Sequence, residues 1–117
     1  MGGFFSEADL ARHAVEWDRP ITSDYRGYTL ATQPPNSQGI ALLMQANMLA
    51  IHDPAAMAVD SAELIHLMVE AKKLAFAYRD AYVCDPAVHP VPLAEMLSET
   101  LAKVWVNSID PDRAAEG

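Results

Sequence analysis

Ser61-Ala62-Glu63-Leu64-Ile65-His66-Leu67-Met68-Val69-Glu70-Ala71-Lys72-Lys73-Leu74-Ala75-Phe76-Ala77-Tyr78-Arg79-Asp80 is the stretch on which the reading of the fold turns. Ser61 stands where its hydroxyl accepts from a free N–H of a first helical turn, and Glu63 places negative charge at the positive end of the helix dipole. Leu64, Leu67, Met68, Ala71, Leu74, Ala75 and Tyr78 recur at three- and four-residue spacings and share one broad stripe. A stripe that wide predicts a helix covered on two sides, ending near Arg79-Asp80.

Upstream, Pro34-Pro35-Asn36-Ser37-Gln38-Gly39 is a turn cluster. A second helix follows it, with Ile40, Leu43, Met44, Asn47 and Ile51 on one face and Asp53-Pro54 at its close. Residues 20–33 alternate aromatic or β-branched side chains with polar ones, and Arg26-Gly27 is the expected tight turn of a β-hairpin. Ser6, with Glu7 and Asp9 behind it, predicts a helix over 6–17 that carries Leu10, Ala14 and Trp17 on one face and stops at Pro20. Downstream, Asp85-Pro86, His89-Pro90 and Pro92 set a loop over 81–92. A last helix runs from Leu93 to Val106 with Met96, Leu97, Leu101, Val104 and Trp105 on its apolar face, and Asp110–Arg113 begins a polar tail. Met44, Met48, Met57, Met68 and Met96 fall mostly at core spacing and are read as packing. The fold class is therefore mostly α with a short β-hairpin (α+β), in a single domain over residues 1–117. A lone hairpin is only marginally stable in water, so this one needs a helix layer or further strands.

The composition narrows the function. Of 117 residues, 51% are apolar, enough to fold around a core. The net charge is −8 and the eight Lys and Arg residues are scattered, so no basic stripe is present to displace counterions from phosphates. Nucleic acid and anionic membrane surfaces are excluded as partners. No apolar run reaches the ~18 residues of a membrane helix, and Met1-Gly2-Gly3-Phe4-Phe5-Ser6-Glu7 lacks the basic start and apolar run of a signal peptide. The single cysteine, Cys84, forms no internal disulfide, and its neighbour Asp85 opposes the thiolate that a nucleophile needs. Nothing here decides the compartment.

Few side chains point to chemistry. His66 and Glu70, four apart on one helix, would begin a metal site, but no third ligand lies at a suitable spacing and no metal is expected. His52 and His89 sit in turns without a recognisable nucleophile partner. Asn36, Ser37 and Gly39 stand at a helix mouth, where free N–H groups can hold a carboxylate or an oxyanion; the same residues equally make an ordinary helix start. They are the candidate substrate-binding residues. Arg79 is expected to be structural, pairing with a carboxylate to pin its helix to a neighbour. No phosphate loop or zinc spacing occurs, and no cofactor is expected.

Taken in order, these segments resemble the γ-glutamyltranspeptidase family. The resemblance is carried by Gly2-Gly3 ahead of Ser6–Ala11, by Arg19-Pro20-Ile21 and Asp24-Tyr25-Arg26-Gly27-Tyr28, and by the Pro34–Gly39 turn. It continues through Ser61–His66, Glu70–Arg79, Asp85-Pro86 and Ile109-Asp110-Pro111. Two departures stand out: Tyr78 replaces the family's usual Asp before the Arg, and Asn36-Ser37-Gln38 differs from the Ser-rich turn of the glutathione-processing members. The second makes the chain look closer to the branch of γ-glutamyltranspeptidase-like proteins and acylases. The resemblance implies a four-layer αββα sandwich and a proenzyme that cuts itself into a large and a small subunit. The small subunit then begins with a threonine whose hydroxyl attacks the γ-glutamyl amide, with its own α-amine as base, in a hydrolase or transferase reaction. It also implies that this chain is the later part of the large subunit, inactive alone, with the small subunit and a small γ-glutamyl substrate as partners of the full enzyme. None of Thr22, Thr29, Thr32 and Thr100 has the surroundings of that nucleophile, so the catalytic set in this chain is expected to be none. Two alternatives remain open: a structural protein that dimerises through its hairpin edge, and a glutamyl-binding module built on the Asn36–Gly39 helix mouth.

Overall fold

The computed structural model describes residues 3–116. Met1, Gly2 and Gly117 fall outside the described residues, and with them the start of the N-terminal segment and the first glycine of the Gly2-Gly3 pair. The elements are α1 (Glu7–Arg12), β1 (Ile21–Tyr25), β2 (Tyr28–Thr32), α2 (Gly39–Ile51), a 3₁₀ turn (Pro54–Ala56), α3 (Ala62–Tyr82), α4 (Leu93–Met96) and α5 (Glu99–Val106). The result is the expected mixture of helices with a two-stranded antiparallel hairpin.

The hairpin follows from its turn. Arg26 and Gly27 both take positive φ, 52° and 86°, which a two-residue turn needs if it is to match the twist of its strands. That turn sets Ile21 opposite Thr32, Ser23 opposite Leu30 and Tyr25 opposite Tyr28. Every second residue of β1 is more buried than its neighbours, so Ile21, Ser23 and Tyr25 share one face.

That face lies on α2, which also packs against α3 and α5. A helix covered from several directions must be apolar around most of its girth. Ile40, Ala41, Leu43, Met44, Ala46 and Met48 are all buried, and with Ala71, Ala75, Met96, Ala102 and Val106 they make the core. Two polar residues interrupt the apolar run of α2: Gln45 bonds back to the Ala41 carbonyl of its own helix, whereas Asn47 reaches outward on both sides of its amide, with Ser23 Oγ donating to Asn47 Oδ1 and Asn47 Nδ2 donating to the Leu97 carbonyl at 3.1 Å. One side chain thus ties the hairpin, α2 and the α4–α5 junction together.

Several expectations need correction. The N-terminal helix stops at Arg12 instead of running to 17. Leu10 and Trp17 are 69% and 96% exposed, so no apolar face is packed and nothing extends the helix past its Ser6–Asp9 capping box. The last helix is two: Ser98 caps Leu101 N–H and starts α5 afresh, breaking the predicted 93–106 run at Leu97. On α2 the buried surface is wider than the predicted face, while Ile51 at its end is exposed. On α3 the second side is bare: Ile65, Met68 and Val69 are about half exposed, so Met68 is not a packing residue here, whereas Met44, Met48 and Met96 are. The helix also runs two residues further than expected, to Tyr82, shortening the loop.

Gly39 sets how closely α2 approaches the hairpin. A Cβ there would lie 1.8 Å from Thr32 Oγ1 and 2.7 Å from both Thr32 Cβ and Cγ2. Gly39→Ala should therefore destabilise the fold by about 1–3 kcal/mol. Thr32→Ala should recover part of that loss in the double variant, because it removes two of the three colliding atoms. Urea unfolding of the two single variants and the double variant measures both effects.

Candidate functional site

The Asn36–Gly39 mouth is already partly self-satisfied. Gln38 precedes α2 without a side-chain cap bond. The Ser37 hydroxyl donates to the Gln33 carbonyl at 3.0 Å and accepts the Gly39 N–H at 3.3 Å. The N–H that a ligand would use first is thereby taken. Asn36 and Ser37 border a hollow of about 500 Å³ together with Glu16, Trp17, Asp18 and Asp85. Three carboxylates around that hollow oppose the carboxylate or oxyanion that the helix mouth would otherwise attract.

Arg79 lies near the end of α3 with its side chain 20% exposed. Its guanidinium donates to Gln38 Oε1 at 2.8 Å and to Asp80 Oδ1 at 2.8 Å, and lies 4.1 Å from the Phe76 ring centre. It bridges the end of α3 and the start of α2. Tyr78, the departure from the family pattern, donates its hydroxyl to Glu95 Oε1 at 2.7 Å and packs against Tyr82 and Trp105. The bond to Glu95, then burial, pushes the Tyr78 hydroxyl up to about 12, which keeps it a neutral donor.

His66 and Glu70 are turned to the chain itself. His66 Nε2 lies 2.8 Å from the Asp110 carbonyl. Glu70, only 4% exposed, takes Lys73 Nζ at 2.8 Å on one oxygen and the Ala115 N–H at 3.3 Å on the other. Lys73 also donates to the Ala115 carbonyl at 2.7 Å. Among the described residues no group of three or more His, Cys, Asp or Glu is arranged to hold a metal. Cys84 Sγ lies near the carbonyls of Asp85 and His89, neither of which is a base. Thr29 donates across the hairpin to Asp24 at 3.0 Å on an exposed surface. Sequence reasoning weighed His66 and Glu70 but missed Lys73, although the His66, Glu70, Lys73 spacing was the signal that all three share one helix face.

A family model described as Gamma-glutamyltranspeptidase matches residues 1–117, the whole length. The chain belongs to the γ-glutamyltranspeptidase family. It is 40% identical over 108 residues to the glutathione hydrolase-like YwrD proenzyme of Bacillus subtilis, covering 92% of this chain and 21% of that protein. It is 36% identical over 102 residues to the acylase ACY 1 proenzyme of a Pseudomonas strain, covering 86% of this chain and 18% of that protein. Its backbone superposes on the Helicobacter pylori γ-glutamyltranspeptidase crystal structure with a TM-score of 0.90 at 30% identity, over 97% of this chain and 33% of that one. The chain spans about a fifth of the length of the curated relatives it matches. None of the described helices is long and apolar enough to cross a membrane.

Within this family segment, Glu70 is the buried charge with the clearest consequence. The Lys73 ammonium hydrogen-bonded to it holds its carboxyl below the usual 4.5; burial opposes this, and the Ala115 N–H adds to it. His66, Lys73 and the Ala115 amide are the groups that face it. A lowered folded-state value stabilises the fold above the unfolded value, and that contribution is lost as pH falls through the folded one. The thermal midpoint should therefore fall more steeply in the wild type than in Glu70→Gln between about pH 5 and pH 3. Scanning calorimetry across that range checks it.

Proposed function

We propose that this chain is one unit of a γ-glutamyltranspeptidase-like proenzyme, the later part of its large subunit, and that it contributes scaffold to the enzyme while catalysis resides elsewhere in the polypeptide. The observation that carries this reading is the match of the whole chain to the family model, and of 92% and 86% of it to about a fifth of two proteins named as proenzymes. The shape of the chain supports it. Its radius of gyration is 17.6 Å, against about 13 Å for a compact domain of this length. Its accessible surface, 8666 Å², exceeds by over a third the roughly 6,300 Å² of a compact monomer of this mass. Phe4, Val15 and Trp17 stand almost bare, as does Val59. Apolar surface on that scale calls for cover.

In the full enzyme the hairpin belongs to a sheet of an αββα sandwich, with α2 and α3 in the helical layer behind it. The small subunit of the same proenzyme supplies a terminal threonine, whose hydroxyl attacks the γ-glutamyl or related amide while its α-amine takes the proton. An acyl-enzyme then passes to water or to an amine. Likeness to both a glutathione hydrolase-like protein and an acylase leaves the acyl group, more than the reaction type, as the variable. Arg79 has a structural role on this reading, joining α3 to the start of α2, and Asn36, Ser37 and Gly39 shape the entry to α2. No residue of this chain touches the reacting atoms.

The test compares two proteins. The full-length protein should cut itself into two subunits, the smaller beginning with threonine by N-terminal sequencing, and should then release the chromophore from a γ-glutamyl or acyl anilide. Residues 1–117 alone should release none. Turnover by the isolated chain, or a full-length protein that stays uncut and inactive, would contradict the proposal.

A further inference from the structure

The side chains His66, Glu70 and Lys73 lie at i, i+4 and i+7 on α3, one stripe of a single helix face. All three reach the same tail segment, and each hydrogen bond they make to it is with main chain. His66 Nε2 meets the Asp110 carbonyl; Glu70 Oε2 accepts the Ala115 N–H; Lys73 Nζ donates to the Ala115 carbonyl. Both backbone groups of Ala115 are thus read by one ion pair, itself closed at 2.8 Å. Glu70 is a charged side chain with 4% exposure, and a carboxylate that deep must be fully hydrogen-bonded to be tolerated. The Lys73 ammonium and the Ala115 amide meet that demand together, so the tail completes the coordination of a buried charge. Between the tail and α3 lies a cavity of about 740 Å³, lined by Val69, Phe76, Ala77 and Ile109, so side-chain packing does not fill the contact.

We propose that His66, Glu70 and Lys73 form a main-chain-reading clamp that binds the chain's own Asp110–Ala115 segment, a turn at Asp110–Arg113 that leads into Ala114-Ala115, and fixes its course across α3. The clamp takes its ligand by carbonyl and N–H positions and is indifferent to the side chains between them. Its ligand is therefore a peptide that turns between its two contacted ends and keeps a free N–H at the Ala115 position, and an imino acid there is refused. This inference rests on no reading of the enzyme's activity.

Residue-resolved amide exchange on the full chain tests it. The Ala115 amide should exchange at least about tenfold more slowly than that of Ala114, which makes no hydrogen bond among the described residues. Lys73→Met should remove most of that protection, and Ala115→Pro should free Arg113, whose N–H is bonded to the Asp110 carbonyl, to exchange at the rate of Ala114, each without loss of protection in α2. Ala115→Ser should leave the protection in place. Because Glu70 is buried and its removal could unsettle the fold, these variants avoid it. Equal exchange at Ala114 and Ala115 in the wild type, or loss of protection in Ala115→Ser as large as in Lys73→Met, would overturn the clamp.

Discussion

The fold hangs on Asn47, the polar side chain of a mostly apolar helix that bonds to elements outside it. Asn47 is half-buried on α2, beside the buried Met48 in sequence, and an unpaired amide there would cost up to about 1–3 kcal/mol. Its oxygen meets Ser23 on β1 and its nitrogen meets the carbonyl of Leu97. Hydrophobic burial alone would let a helix as evenly apolar as α2 rotate or slide against its neighbours. The Asn47 bonds admit one rotation of α2 beneath the hairpin and one position of the α4–α5 junction. Gly39 acts in the same direction at the helix start, where only the lack of a Cβ lets α2 meet Thr32. Direction comes from Asn47, distance from Gly39, and the apolar core supplies the driving force.

Around that centre the structure is lopsided. One side of α3 is buried and the other is bare, and α1 stands off the core with no buried residue. Ion pairs do little to compensate: Arg12–Asp9, Arg26–Asp53 and Lys103–Glu99 are exposed, and such pairs contribute little. The exception is Glu70 with Lys73, where burial and the Ala115 main chain make the pair a fixed point. A core finished on one side and open on the other fits a segment whose family relatives are about five times its length.

Much of this was legible in the residues. The hairpin was, because Arg26-Gly27 and period-two alternation are local signals, and α3 was, because Ser61 and a long stripe act within one element. The errors share a cause. Leu10, Ala14 and Trp17 are spaced as a helix face, but spacing makes a helix only where something packs on it, and nothing does. Ser98 carries the same capping chemistry as Ser6 and Ser61, yet the apolar run on either side of it hid the break. Met68 fitted the stripe and still faces outward, because a stripe does not say how many neighbours exist. The candidate site was less legible. Asn36, Ser37 and Gly39 signalled a helix start, and whether the N–H groups are free depends on the Ser37 rotamer. The ties from His66, Glu70 and Lys73 to the tail end on backbone atoms, which carry no sequence signature.

On the proposed reading, this segment has a self-sufficient α2 core and a hairpin completed by other parts of a larger enzyme. Amide exchange in the isolated chain and in the full-length protein tests it most directly. The α2 amides should be protected in both, while the β1 and β2 amides not paired within the hairpin should be protected in the full-length protein alone. Equal, strong protection of those strand amides in the isolated chain would contradict it, as would an α2 that exchanges freely without the rest of the enzyme.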